Sequence, residues 1–206
     1  MEFLTGVKEK ETIGIREILS GDYVGKTVKM NGAVHNIRDM GEFAFIILRK
    51  AEGLVQCVYE EGKTEFDLKD LKEESAVEVT GVIALEERAP QGFELRLTGI
   101  RVLSEPAETM PIAINKWKMN TSLETRLSLR PVSLRNVRER AKFKIQEGIV
   151  RGFREFLSSQ GFTEVHTPKI VSRGAEGGAN VFKLNYFNKK AELGQSPQFY
   201  KQMMVG

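Results

Sequence analysis

Three side chains in the first half of the chain have the chemistry needed to bind a nucleobase. Phe45 offers an aromatic face on which a base can stack, and Arg38 and Gln56 offer hydrogen-bonding groups. All three lie in or next to segments rich in β-branched and aromatic residues. The alternative for Phe45 is an ordinary core aromatic, which composition alone favours.

Five segments of this half are predicted to be β-strands, because apolar and polar residues often alternate in them. They are residues 27–37, 43–49, 53–59, 76–84 and 92–103. A short helix is predicted after the third strand, with Thr64 and Asp67 in an N-cap-like arrangement. This order is typical of a small Greek-key barrel of the OB type, whose sheet face binds single-stranded nucleic acid.

The second half begins with a proline-punctuated connection and a long helix. Pro106, Pro111 and Pro131 mark a hinge, in which Trp117 is expected to be a packing anchor. An apolar stripe at spacings of three and four predicts a helix over 134–160. The predicted domains are therefore a barrel over 1–105, a hinge over 106–132 and a second domain over 133–206.

Composition bounds the kind of protein. The 206 residues include 31 Lys plus Arg and 28 Asp plus Glu, giving a net charge of +3. The single cysteine, Cys57, excludes an internal disulfide framework and a cysteine-based zinc site. No run approaches the ~20 apolar residues of a membrane span, and the first residues lack a signal-peptide layout. We expect a cytoplasmic protein without a membrane segment.

The charge is unevenly distributed. Residues 1–105 carry −6 and residues 106–206 carry +9, and the stretch 116–154 holds 11 basic and 3 acidic residues. Such a stretch is either a solvated helix face or a surface for nucleic-acid phosphates. His35 and His166 are interpreted as structural histidines, so no metal site is predicted.

Several segments resemble one enzyme family. Residues 161–168, GFTEVHTP, follow a long helix and resemble the first signature motif of class II aminoacyl-tRNA synthetases, which builds the dimer interface there and ends here at Pro168. The run EGGANVFKLNYFNKKAELGQSPQFYKQMM resembles archaeal and eukaryotic aspartyl-tRNA synthetases. IRDMGEFAFIILR and EGLVQCVY resemble the anticodon-binding domain of that family. The resemblance implies an OB-fold barrel, a hinge and the start of an α+β catalytic domain built on an antiparallel sheet, in a homodimer.

The resemblance also implies a site for L-aspartate. Glu176 corresponds to the residue that approaches the substrate ammonium, and Lys201 to the cation that holds the β-carboxylate. Gln198 corresponds to a polar pocket residue, with Ser196 as a weaker candidate. Without the resemblance, Glu176 and Lys201 would be solvent-facing residues. The implied reaction activates aspartate with ATP and Mg²⁺ and transfers it to tRNA(Asp).

In the resembled family, the positions of Arg38, Phe45 and Gln56 contact the anticodon, with Phe45 stacking and Gln56 reading the central uridine. His35 and Pro90 resemble the residues of non-discriminating enzymes, which also charge tRNA(Asn). The third anticodon base is the expected target of that difference.

The second and third motifs of the family, with the arginines that bind ATP, are not found before Gly206. We therefore expect a fragment of a longer enzyme that does not activate aspartate by itself, with ATP and Mg²⁺ bound mainly by the missing part. Two alternatives stay open: an asparaginyl-tRNA synthetase, and a non-catalytic RNA-binding module of the OB type.

Overall fold

The structure is a computed structural model that describes residues 12–174 and 180–205. It divides into two compact units, residues 1–143 and 144–206. In chain order, the elements are α1 Ile15–Ser20, β1 Thr27–Asp39, β2 Phe43–Arg49, β3 Leu54–Glu60, a 3-10 turn Leu68–Asp70, β4 Ala76–Leu85, β5 Phe93–Ser104, α2 Leu123–Ser128, α3 Arg130–Ser133, α4 Val137–Ser159, β6 Ile170–Val171, β7 Lys183–Tyr186, β8 Lys189–Leu193 and α5 Gln198–Met203. The predicted hinge belongs to the first unit.

Strands β1 to β5 close into a barrel in the order β1-β2-β3-β5-β4. β1 is antiparallel to both β2 and β4, and β3 is parallel to β5. Alternate residues of each strand point inward and form one apolar core, which includes Met30, Val34, Ile46, Leu48, Val55, Cys57, Val79 and Leu95. The predicted OB barrel is confirmed at nearly the predicted strand bounds.

Two glycines make the barrel geometry possible. Gly41 joins β1 to β2 at a φ of +95°, and its N–H donates to the Asp39 carboxylate at 2.9 Å. Gly81 lies where β4 meets β5: a Cβ there would be 2.4 Å from the carbonyl oxygen of Arg96. Only a residue without a side chain allows that approach.

The predicted helix after the third strand is a single 3-10 turn. Its N-cap is Asp67, whose carboxylate accepts from the Lys69 N–H at 3.0 Å. Thr64 is not the cap, because its buried hydroxyl donates to the Leu97 carbonyl at 3.2 Å. The prediction chose the wrong partner because a tertiary contact outweighs local spacing at Thr64.

The hinge has a small core of its own, formed by Ile112, Ile114 and Met119. Trp117, predicted as the packing anchor, is 72% exposed, so that prediction is wrong. Asn136 performs the anchoring role instead and is 2% exposed. Its Nδ2 donates to the carbonyls of residues 114 and 116 at 2.9 and 2.7 Å, and its Oδ1 accepts from the N–H groups of residues 138 and 139. One amide therefore caps α4 and holds the hinge backbone.

The second unit contains most of α4, a three-stranded antiparallel sheet in the order β6-β8-β7, and α5. The predicted long helix is confirmed, and Gly161 follows it at a φ of +83°. Its apolar stripe is exposed in the described chain, at Ile145, Ile149, Phe153 and Phe156. No described helix is both long and apolar enough to cross a membrane.

Candidate nucleic-acid interface and amino-acid site

The residues predicted to bind bases lie in adjoining rows on the outside of the barrel. Arg38 on β1 is paired with Phe45 on β2, which is paired with Val58 on β3. The next row is Ile47, Gln56 and Glu94. Since Phe45 and Gln56 are diagonal neighbours on one face, about 7–8 Å separates their backbones. A base on the Phe45 ring would thus present its edge toward Gln56.

Phe45 is half-buried, lies outside the apolar core and packs against Phe43 edge to face, with ring centroids 5.6 Å apart. This contact fixes the ring while leaving part of it open for stacking. A groove of about 710 Å³ adjoins it, lined by Phe43, Phe45, Val58, Gly62 and the acids Glu42, Glu60, Glu61, Glu86 and Glu94. The carboxylates repel phosphate, so this groove suits a base and not the nucleic-acid backbone.

Gln56 is held by a residue that sequence reasoning missed. Its Nε2 donates to Glu94 Oε2 at 3.2 Å, and Arg96 Nε lies 3.4 Å from the other oxygen of Glu94. Glu94 is 7% exposed. The pairing of Gln56 with Glu94 depends on the parallel alignment of β3 with β5, which alternation within a single strand does not reveal.

His35 is the extra residue of a β-bulge between Val34 and Asn36, and it is 6% exposed. Its Nδ1 lies 3.2 Å from Arg49 Nη1. A guanidinium can only donate, so Nδ1 is the acceptor and the ring proton is on Nε2. Pro90 lies in the exposed turn between β4 and β5. Of the two residues predicted to determine which tRNA is accepted, His35 is therefore buried and Pro90 is exposed to solvent.

A buried ion-pair network surrounds His35. Arg49 donates to both oxygens of Glu74 at 2.6 and 2.8 Å, and Arg135 donates to one of them at 2.9 Å. Burial, followed by the charge of Arg49, lowers the pKa of His35. Burial acts to raise the pKa of Glu74, but the hydrogen bonds and charges of Arg49 and Arg135 outweigh it and the pKa is lowered. The network therefore contains a neutral imidazole and an ionised carboxylate.

The 11 basic side chains of the stretch 116–154 fall into three groups. Five basic residues have a carboxylate partner: Arg126, Arg135, Lys142, Arg151 and Arg154. Arg130 lies over the ring of Phe143, and Arg140 donates to the backbone carbonyl of Lys50. Within residues 12–174 and 180–205, Lys116, Lys118, Arg138 and Lys144 have no carboxylate within 4.0 Å. These four are the cations available to an external phosphate.

The residues predicted to bind aspartate lie at the end of the second unit. Gln198 and Lys201 are both exposed and, three residues apart on α5, lie on the same side of the helix, with Ser196 just before it. Glu176 lies outside the described residues. Gly174 and Asn180, which flank the segment that contains Glu176, both form hydrogen bonds to residues in or next to β8. The Gly174 N–H donates to the Glu192 carboxylate at 2.9 Å, and the Gln195 side chain donates to the Asn180 carbonyl at 2.8 Å.

Pro168, at the end of the motif-like segment, is exposed and lies two residues before β6. The described part of the chain contains no group of three or more His, Cys, Asp or Glu side chains placed to hold a metal ion. Cys57 is fully buried in the barrel, and burial raises the pKa of its thiol, so it stays protonated.

Comparison with known proteins assigns both parts of the chain. Residues 28–103 match the family described as an OB-fold nucleic acid binding domain, and residues 122–206 match tRNA synthetases class II (D, K and N). The chain is 46% identical to the aspartate–tRNA(Asp/Asn) ligase of Deinococcus radiodurans, over 88% of this chain and 40% of the relative. It is 43% identical to the enzyme of the same name from Archaeoglobus fulgidus, over 88% of this chain and 43% of the relative.

The fold has a close counterpart among solved structures. The asparaginyl-tRNA synthetase of Pyrococcus horikoshii, complexed with asparaginyl-adenylate, matches 89% of this chain with a TM-score of 0.77 and 32% identity. That match covers 43% of the solved chain. The chain thus combines a barrel that matches the OB-fold nucleic acid binding family with a segment that matches the class II tRNA synthetases. It spans about two fifths of the length of the curated relatives it matches.

Proposed function

We propose that the chain is the anticodon-binding barrel, hinge and first catalytic segment of an aspartate–tRNA ligase that acts on tRNA(Asp) and tRNA(Asn). The observation that carries this proposal is the outer face on which Phe45 and Gln56 lie in adjoining rows. The names of the curated relatives support both the amino acid and the pair of tRNAs.

In the barrel, Phe45 stacks on the central anticodon base, Gln56 reads its edge and Arg38 contacts the same loop. His35 and Pro90 set the tolerance for the third base. Stacking of a base on an aromatic side chain contributes about 1–3 kcal/mol. Phe45→Ala should therefore weaken binding of an anticodon stem-loop by roughly 5- to 150-fold.

A stem-loop with the aspartate anticodon, labelled with a fluorophore and titrated with the 206-residue chain, measures this loss by anisotropy. Phe187→Ala is the matched control, since Phe187 is 88% exposed in the second unit. It should leave binding unchanged. Equal losses in the two variants, or binding that ignores the anticodon sequence, would contradict the proposal.

In the catalytic segment, Lys201 pairs with the β-carboxylate of L-aspartate, Gln198 and Ser196 line the pocket, and Glu176 binds the ammonium. The aspartate α-carboxylate attacks the α-phosphate of ATP, pyrophosphate leaves, and a hydroxyl at the tRNA 3′ end then displaces AMP from the aspartyl group. The described residues provide no cluster of three or more His, Cys, Asp or Glu side chains for Mg²⁺, and the ion would be bound mainly by the part of the longer protein that this chain does not include.

This half of the proposal requires a longer protein, because the chain spans about 40% of the Deinococcus relative. A chimera of this chain with the part of that relative beyond the matched region should catalyse aspartate-dependent pyrophosphate exchange, and the 206-residue chain alone should not. In the chimera, Lys201→Met should abolish exchange with aspartate, and Lys190→Met, a surface control, should not.

Charging of tRNA(Asn) with aspartate tests the relaxed specificity, and failure to charge it would limit the function to tRNA(Asp). Size-exclusion chromatography of the chimera tests the homodimer.

The alternative is an asparaginyl-tRNA synthetase, which the similarity to the Pyrococcus structure suggests but does not support better than the aspartate enzyme. It differs in one chemical requirement: its pocket must accept a neutral amide, whereas a lysine three residues after Gln198 suits a carboxylate. Exchange by the chimera with asparagine and not with aspartate would establish the alternative.

A further inference from the structure

One bend of the hinge presents a tryptophan to solvent. Residues 115–118, called the hinge bend from here on, lie between Ile114 and Met119, which are 4% and 7% exposed. Trp117 is 72% exposed, although tryptophan is on average one of the more buried residue types. Within the part of the chain that the structure describes, its indole makes no hydrogen bond, ring contact or cation–π contact. The ring is therefore open to a partner from outside.

The hinge bend is held at both ends. The Asn136 amide donates to the carbonyls of residues 114 and 116 at 2.9 and 2.7 Å. The Asn115 amide donates to the Glu73 carboxylate at 3.2 Å, and Met119 belongs to the small hinge core at the other end. The tryptophan is thus presented at a fixed place, and a surface that is already ordered loses little conformational entropy when a ligand binds.

The charges of the hinge bend indicate which kind of partner fits it. Lys116 and Lys118 flank Trp117 and are exposed, and no carboxylate of the described residues lies within 4.0 Å of either ammonium. The chain has no acidic residue between Glu108 and Glu124. An aromatic ring between two unpaired cations matches a nucleotide strand, because the base can stack on the ring while the phosphates pair with the lysines.

Building on the proposed function, we propose that the hinge bend is a second RNA contact, separate from the anticodon face. Trp117 stacks on an unpaired base of the bound tRNA outside the anticodon loop, and Lys116 and Lys118 bind the phosphates on its two sides. The base must be unpaired, since a base inside a duplex is covered on both faces by its neighbours. A membrane surface is the less suitable partner, because an interfacial segment needs several apolar residues and the hinge bend has one.

Trp117 is the single tryptophan of the chain, so its emission reports whether this site is occupied. An intact tRNA(Asp) transcript and the isolated anticodon stem-loop are each titrated with the 206-residue chain. Anisotropy of a label on the RNA measures binding, and quenching of the tryptophan emission measures stacking. Intact tRNA should quench most of the emission at saturation, whereas the stem-loop should bind without quenching it. Tripolyphosphate, which carries charge but no base, should also leave the emission unchanged.

Substitutions separate the ring from the charges. Trp117→Ala should weaken binding of intact tRNA by about 5- to 150-fold, the range for one base on an aromatic side chain, and leave stem-loop binding unchanged. Trp117→Phe keeps a ring and should recover part of that loss. Replacing both lysines by Ala should lower the slope of log K against log salt by about 1–2, while saturating tRNA still quenches the emission. Phe187→Ala, at an aromatic residue that is 88% exposed in the second unit, is the matched control and should bind intact tRNA like the wild type.

Three results would overturn the inference. The first is intact tRNA that binds the chain while the emission stays unchanged. The second is an emission shift on vesicles of phosphatidylcholine and phosphatidylserine without any response to tRNA, which would assign the hinge bend to a membrane surface. The third is a chimera whose affinity for tRNA is insensitive to Trp117→Ala, because the rest of the longer protein would then cover the ring. A chain that binds neither RNA would instead reject the proposed function, on which the inference rests.

Discussion

Arg49 and Glu74 form a two-point ion pair inside the first unit, with Nη1–Oε1 and Nη2–Oε2 distances of 2.6 and 2.8 Å. Their side chains are 8% and 3% exposed. The loop before β4 is bound to β1 by two backbone hydrogen bonds at Val34, which places Glu74 beside the end of β2. Arg135, just before α4, binds the same carboxylate. The Glu74 carboxylate thus connects the barrel to the segment that leads into α4.

Removal of one partner should be costly, because it leaves a buried charge undercompensated. We expect Arg49→Met to lower the free energy of unfolding by about 3–5 kcal/mol, measured by urea titration with circular dichroism. The control Arg101→Met removes an arginine that is 69% exposed in its pair with Glu78, and should cost less than about 1 kcal/mol. Similar losses in both variants would show that burial does not determine the strength of the Arg49 pair.

His35 should make the first unit less stable in mild acid. Its pKa in the folded chain lies below the ordinary value of 6.5, because of burial and the charges of Arg49 and Arg140, opposed by Glu74. Below pH 6.5 the unfolded chain therefore binds more protons than the folded one, and stability falls as pH falls. Glu74 adds a second loss below pH 4.5, since its pKa is also lowered.

The substitution His35→Gln separates these two windows. In this variant, the urea midpoint should no longer fall as the pH is lowered below 6.5. The further fall below pH 4.5, which depends on Glu74, should remain. His166→Gln removes the other imidazole of the chain, which is exposed in the second unit, and serves as the control. A His35→Gln curve that follows the wild type between pH 7.5 and 5 would contradict the assignment.

Asn136 should be sensitive to substitution in two distinguishable ways. Asn136→Ala removes an N-cap and leaves two hinge carbonyls without their donor, and we expect a loss of about 2–4 kcal/mol. Asn136→Asp keeps the cap acceptor but loses the donor, so it should keep α4 while loosening residues 114–116. Fluorescence of Trp117, the single tryptophan, reports that loosening. An Asp variant with wild-type fluorescence and protease resistance would argue against the role in the hinge.

The unpaired cations of the hinge region should govern the salt dependence of RNA binding. Lys116 and Arg138 lie near each other because the Asn136 amide binds the backbone of both. Replacing Lys116, Lys118 and Arg138 together by Ala should lower the slope of log K against log salt by about 2–3 for intact tRNA.

The control for this experiment removes three basic residues that already have acidic partners, Lys72, Arg101 and Arg151. It changes the net charge equally but should leave the slope nearly unchanged. If both triple variants shift the slope alike, then net charge and not a local surface attracts the RNA.

The strands were predictable because apolar residues that face the core alternate with outward-facing residues along each barrel strand. The helix α4 was predictable because its apolar residues recur at spacings of three and four. Residues whose roles depend on distant partners were not. Glu94 gains its role from a parallel strand, and Glu74 from two arginines far away in sequence. The Asn136 cap could have been found, since Asn followed three residues later by Glu139 has a typical N-terminal spacing. The exposure of Trp117 could not, because hydrophobicity alone does not reveal whether a hinge residue finds neighbours.

The parallel pairing of β3 with β5 has a consequence during synthesis of the chain. Gln56 emerges from the ribosome well before Glu94, and until β5 docks, β3 is an open edge whose outer side chains have half of their eventual neighbours. A nascent chain that ends before β5 lacks Glu94, so its Gln56 amide does not yet have that carboxylate as a partner. The hydrogen bond between the two side chains therefore forms only when the last strand completes the barrel.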